Sequence, residues 1–159
     1  MPNVTVDISE LRVSNNPADV LVTYALGSCL GLAIYDPAVR VAGMIHCMLP
    51  QSKIDPDKAA ANPPMFVDTG IPLLFETAYK LGARKERMVV RAAGCAQILD
   101  AKGTFKIGER NYAMMRKVLW RNNVLIHSED IGGDCSRTLY LEVATGKTSL
   151  RSRGEIREL

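Results

Sequence analysis

The sequence predicts an α+β fold in which strands outnumber helices, and three observations carry that prediction. Residues 19–49 hold three segments in which apolar and polar side chains alternate. Two later segments repeat apolar residues at helical spacing. Three further short alternating stretches follow the second of these. At 159 residues the chain is long enough for one domain with a real core, and we place that domain at residues 1–151, with 152–159 as a charged, frayed C-terminal tail.

The elements follow in order. Residues 19–25 alternate, with Leu21, Thr23 and Ala25 on one face and Val20, Val22 and Tyr24 on the other. Cys29 to Tyr35 alternates again up to the turn pair Asp36-Pro37, and a third strand runs from Val41 to Leu49, so the three read as an antiparallel meander. The polar stretch from Gln51 to Pro64, with Asp55-Pro56 and Asn62-Pro63-Pro64, reads as a long exposed loop. A helix fits 70–81: Ile71, Leu74, Phe75, Ala78 and Leu81 share a face, Pro72 suits its first turn and Gly82 its stop. A strand at 87–93 ends at Gly94. A second helix covers 109–121 with Tyr112, Met115, Val118 and Leu119 inward, and strands at 124–129, 138–144 and 147–151 close the domain around turns at Gly132-Gly133 and Thr145-Gly146.

Composition excludes several classes. The net charge of +3 is mild, and its basic residues are scattered without an aromatic platform, which argues against a nucleic-acid partner. No apolar run has the length of a membrane span and the N-terminal residues lack a signal-peptide core, so a cytoplasmic protein without membrane insertion is expected. The four cysteines (29, 47, 95, 135) form no C-x-x-C pair and there are two histidines, so no metal or other cofactor is expected.

The chemistry concentrates at Thr23-Tyr24-Ala25-Leu26-Gly27-Ser28-Cys29 and at His46 in Gly43-Met44-Ile45-His46-Cys47-Met48-Leu49-Pro50. A thiol beside an imidazole that a third group orients is the minimum apparatus for attack on an acyl carbon. Gly27-Ser28-Cys29-Leu30-Gly31 has the spacing of a nucleophile elbow, but the residues after Cys29 alternate like a strand where an α/β-hydrolase needs a helix, and that fold is rejected. What remains is local: glycines clear space around the thiol and let backbone N–H groups at Gly27 and Ser28 face an oxyanion. His46 and Cys47 point to opposite faces of their strand, so if His46 faces Cys29, Cys47 is a buried structural thiol. The Thr23 hydroxyl is placed to accept from the imidazole and fix its tautomer. One cysteine and one histidine on adjacent strands also read as ordinary core, and the pattern alone leaves both readings open.

These residues resemble the CheD family of chemoreceptor glutamine deamidases. The resemblance rests on Thr23-x-x-x-Gly27-Ser28-Cys29 with Leu26 before the glycine, Tyr35-Asp36-Pro37, Gly43-Met44-x-His46-x-Met48-Leu49-Pro50, Ile107-Gly108-Glu109-Arg110-Asn111, Asp130-Ile131-Gly132-Gly133 and Arg137, spanning residues 20 to 150. It implies a β-sandwich flanked by helices, the fold shared with the catalytic domain of cytotoxic necrotizing factor toxins. It implies Cys29 as nucleophile, His46 as base and Thr23 as the residue orienting it. It also implies hydrolysis of glutamine side chains on cytoplasmic receptor helices, some methylesterase activity, and CheC as a binding partner. Two stretches depart from the family pattern. Ala93-Gly94-Cys95-Ala96 stands where Phe-Gly-Gly-Ala is usual, and Gly132-Gly133-Asp134-Cys135-Ser136-Arg137 stands where Gly-Gly-x-x-Gly-Arg is usual. They put substrate fit and partner binding in question more than the three catalytic positions, and they read as neutral drift, the favoured reading, or as altered receptor or CheC recognition.

The other candidates have simpler readings. His127 reads as a surface strand histidine, Glu109 and Asn111 as caps at a helix start, Arg137 as the partner of an acidic loop residue, and Met114 and Met115 as packing. Two rivals to the deamidase remain: a non-enzymatic binding partner of CheC or receptors with an idle triad, and a general thiol hydrolase of small amides or esters.

Overall fold

The computed structural model describes residues 3–97 and 106–159. Among the described residues ten strands form two five-stranded sheets. The first sheet is ordered β1 (Asn3–Thr5), β3 (Val20–Leu26), β8 (Arg137–Glu142), β9 (Thr148–Ser152) and β10 (Glu155–Glu158). The second is ordered β2 (Leu11–Ser14), β5 (Val41–Cys47), β4 (Leu30–Asp36), β6 (Val89–Gly94) and β7 (Ser128–Ile131). Helices α1 (Pro56–Ala61), α2 (Val67–Tyr79) and α3 (Ile107–Arg121) complete the fold.

Two apolar layers follow from the alternation of side chains. In β4, Leu30, Leu32 and Ile34 face outward onto α2 and α3, where they meet Ile71, Leu74, Phe75, Met115 and Leu119. Ala33 and Tyr35 face inward and pack between the sheets with Leu21, Leu26, Met44, Leu139, Leu141 and Leu150. Strand β5 divides the same way, with Val41, Ile45 and Cys47 toward the helices and Ala42 and Met44 inward. The architecture is thus a β-sandwich with helices on one side, the α+β class expected.

Several expectations are corrected in detail. The first three long strands are not a meander: β4 and β5 form an antiparallel hairpin, but β3 pairs with β1 and β8 in the other sheet. The short turn after β3 therefore crosses between the sheets instead of extending one of them. Ala25 does not join Leu21 and Thr23 inside. A bulge between Thr23 and Leu26, with Ala25 at φ 56°, resets the alternation, so Leu26 is buried and Ala25 exposed.

The stretch 51–64 is not a loop. Asp55 caps α1 by accepting from the Lys58 N–H, with Pro56 at the first helical position, and short 3-10 turns flank it at Ser52–Ile54 and Pro63–Met65. The Asp-Pro pair read as a turn is a helix start. Helix α2 begins at Val67, which puts Pro72 in its second turn, and Leu81 lies beyond its end, exposed. The strand expected at 124–129 begins at Ser128. His127 occupies the pairing position before it, its N–H donating to Val90 O at 2.7 Å and its Nδ1 accepting from Val90 N at 3.2 Å, so a side chain takes the place of the ladder there. The C-terminal residues are not frayed: β10 pairs antiparallel with β9.

Candidate active site

The second sheet delivers Cys29 and His46. Leu30 pairs with Cys47 and Gly31 with His46, so Cys29 stands one residue before β4 and His46 one residue before the end of β5. Cys29 packs with the inter-sheet cluster, while Cys47 lies in the helix-side core and is fully buried. His46 and Cys47 therefore separate onto opposite faces, with His46 on the face of Cys29. Strand β5 is anchored at this point because the His46 N–H donates to Glu10 O at 3.0 Å and the His46 carbonyl accepts from Ser9 N at 2.8 Å.

The first sheet delivers the third group. Thr23 Oγ1 lies 2.7 Å from His46 Nδ1 and 2.6 Å from the Val6 carbonyl oxygen. A carbonyl only accepts, so the hydroxyl proton goes to Val6 and the threonine oxygen must accept from Nδ1–H. That leaves Nε2 as the unprotonated nitrogen, and Nε2 is buried without a hydrogen-bond partner among the described residues. The bond network thus selects the tautomer a base requires.

Burial sets the resting charges. It pushes the Cys29 thiol up to about 11. It holds the His46 imidazole down at about 4, only partly opposed by the negative charge of Asp7. Both groups are neutral near pH 7, because desolvation penalises whichever form is charged.

Three neighbours fix the backbone under the thiol. Ala96 N donates to Gly27 O at 2.8 Å, Cys95 N to Cys29 O at 2.8 Å, and Asn111 Nδ2 to Ser28 O at 2.9 Å. Close approach of β6 depends on Gly94, at φ 104°, where a Cβ would stand 2.3 Å from Cys29 O. A Cβ on Gly108 would meet Cys95 O and Ala96 O at 2.5 Å each, so this glycine lets the start of α3 close on the same segment. Above it opens a cavity of about 440 Å³, bordered by Ser28, Cys29, Met48, Cys95, Gly108 and Gly133 among others.

Arg137 pairs with an acidic residue, as the sequence suggested, but Asp130 lies in strand β7 and not in a loop. It donates to Asp130 at 2.7 Å and to the carbonyls of Gly132 at 2.7 Å and Gly94 at 3.3 Å, tying the two departing loops together. Cys95 sits at φ 55°, buried, its thiol pushed up to about 12 by desolvation. Asn111 corrects the capping reading: it is fully buried, and its amide also donates to Met48 O at 3.2 Å. Its signal was present in the sequence. Asn111, Met115 and Leu119 share one helical stripe, and a polar amide on an apolar stripe needs buried partners.

The family model described as CheD chemotactic sensory transduction matches residues 48–152. The chain belongs to the CheD family. A Syntrophus aciditrophicus relative, named "Probable chemoreceptor glutamine deamidase CheD 1", is 56% identical with all of both chains covered. A CheD relative from Solibacter usitatus is 46% identical, covering 100% of this chain and 94% of its own. One from Anaeromyxobacter dehalogenans is 44% identical over the whole of both. Among the described residues no helix is long and apolar enough to cross a membrane.

Proposed function

We propose that this CheD protein hydrolyses glutamine side chains on chemoreceptor cytoplasmic helices to glutamate, with Cys29 as nucleophile, His46 as base and Thr23 holding the imidazole. The observation that carries the reading is the Val6–Thr23–His46 hydrogen-bond chain, which leaves a bare Nε2 on the sheet face that bears Cys29. The names of the full-length relatives point to the same substrate.

The chemistry runs in two halves. As Sγ bonds to the glutamine Cδ, the thiol proton passes to Nε2, so the thiolate and imidazolium that burial disfavours arise only together with the new bond. The tetrahedral oxygen needs donors. The carbonyls of Gly27 and Ser28 are each held by a donor, and a planar trans peptide points its N–H opposite to its carbonyl, which turns the N–H groups of Ser28 and Cys29 away from those donors. The imidazolium then protonates the departing nitrogen, ammonia leaves, and a thioester remains. Water attacks the thioester while Nε2 takes its proton and returns it to sulfur, releasing glutamate. Each turnover places a negative charge on a helix surface that was neutral, which biases signalling.

The same reading makes the protein cytoplasmic and CheC a partner that withholds it from receptors. The test is peptide mass spectrometry of a receptor cytoplasmic fragment co-expressed with wild-type protein, Cys29→Ala or His46→Ala. A gain of about one dalton at defined glutamines is expected with wild type alone, since only an intact nucleophile and base cleave the amide. The same gain with Cys29→Ala would refute the mechanism. An unmodified receptor throughout would favour a binding role.

A further inference from the structure

The structure assigns Asn111 a part in this reaction: we infer that it is a positioning residue that aims the Cys29 N–H at the oxyanion and ties the nucleophile's turn to the end of the base's strand. The inference rests on the proposed roles of Cys29 and His46.

Its geometry is unusually constrained. Asn111 is fully buried, on a helix stripe otherwise made of Gly108, Met115 and Leu119. Two carbonyl oxygens face one end of its amide, Ser28 O at 2.9 Å and Met48 O at 3.2 Å. Both are acceptors, so that end must be the NH2, and chemistry settles the amide's orientation. The other end, Oδ1, is buried with no partner among the described residues. A side chain kept only for packing at such a site would be apolar, because a buried orphan acceptor is a cost. What Asn111 offers in return is two donors at fixed separation.

The two acceptors explain the use. The Ser28 carbonyl and the Cys29 N–H belong to one planar peptide unit. A donor on the carbonyl fixes the direction of that N–H and polarises it, because hydrogen bonds in series strengthen one another. The second acceptor, Met48 O, lies two residues beyond His46. One amide on α3 thereby spans the nucleophile's turn and the strand carrying the base. The flanking carbonyls of Gly27 and Cys29 are held by main-chain donors, so Asn111 is the side-chain member of the clamp.

The test compares Asn111→Ala and Asn111→Ser with Met115→Ala, a fully buried core residue one turn further along the same helix. Release of ammonia from a purified receptor cytoplasmic fragment gives kcat and KM, and thermal unfolding gives stability. Expected for Asn111→Ala is a fall in kcat of about 10- to 100-fold with KM within about threefold, below the loss from deleting an oxyanion donor outright. Met115→Ala, destabilised to a similar degree, should keep kcat within about threefold. Asn111→Ser retains one donor and should recover part of the rate, and it serves in place of the alanine variant should that chain not fold. Equal kcat losses in the Asn111 and Met115 variants would overturn the inference, as would full kcat in Asn111→Ser and Asn111→Ala alike. If Cys29→Ala kept its activity, the reading of the site would fall, and this inference with it. An inactive Cys29→Ala beside fully active Asn111 variants would refute the Asn111 role alone.

Discussion

The two sheets have the same number of strands, but their central strands stand in different relations to water. Every residue of β4 and β5 is buried, because the second sheet has helices on one side and the first sheet on the other. In the first sheet β8 alternates buried and half-buried residues, and β10 is exposed throughout. The doubly covered sheet supplies Cys29 and His46, and the half-wet sheet supplies Thr23. Groups meant to rest uncharged come from the dry layer. The group that fixes them reaches across the seam, so the site exists only while the sheets stay in register.

Breaking the dry layer should have the largest effect. Gly94→Ala forces a Cβ to within 2.3 Å of Cys29 O and puts a side chain at φ 104°. We expect a loss of 3 kcal/mol or more, roughly, in urea unfolding, together with collapse of activity. Next is acidification. The folded value of His46, about 4, lies below its ordinary 6.5. Between those values the unfolded chain takes up a proton that the folded chain refuses. Stability should therefore fall as pH drops from 6.5 toward 4 and level off below, by up to about 3 kcal/mol. His46→Gln should flatten that decline in a pH series of denaturation curves. The acid limb of kcat/KM should likewise lie nearer 4 than 6.5.

Cutting the seam alone should cost less. Thr23→Val keeps the shape but strands the Val6 carbonyl and the His46 Nδ1–H, for about 1–3 kcal/mol and a drop in kcat of about 10- to 100-fold. Unchanged kinetics would mean that the imidazole is held by packing instead. The wet sheet sets the floor of the comparison: Ile156→Ala, on exposed β10, should shift stability by less than about 0.5 kcal/mol and leave turnover alone.

How much of this the sequence revealed tracks the same division. Strands β4 and β5 were legible because their alternation is unbroken, and so was the opposition of His46 and Cys47, which needs only the period of two. Cys29, His46 and Thr23 were assembled by motif and resemblance, and the structure supplies the Thr23–His46 bond. The pairing of β3 was misread because short turns suggest hairpins, whereas this one crosses between sheets. Nothing local in the residues around Gly27 distinguishes the two. Helix α1 was hidden behind Asp55-Pro56, a pair that starts turns and helices equally well. Asn111 read as a cap because capping residues and buried amides are the same residue types, although its place on the Met115–Leu119 stripe marked it as a buried amide.

The uncharged resting pair has a consequence for durability. Electrophiles and oxidants consume thiolates, and a sulfur that keeps its proton is spared them. Cys135 is the opposite case, half-exposed, its thiol lowered chiefly by a hydrogen bond with the Ser152 hydroxyl. Indiscriminate reagents should therefore spend themselves on the outer Cys135 sulfur while the Cys29 sulfur stays dormant. Under the proposed mechanism, an inhibitor would need to mimic the amide that draws the proton across, since sheer reactivity would be squandered at the surface.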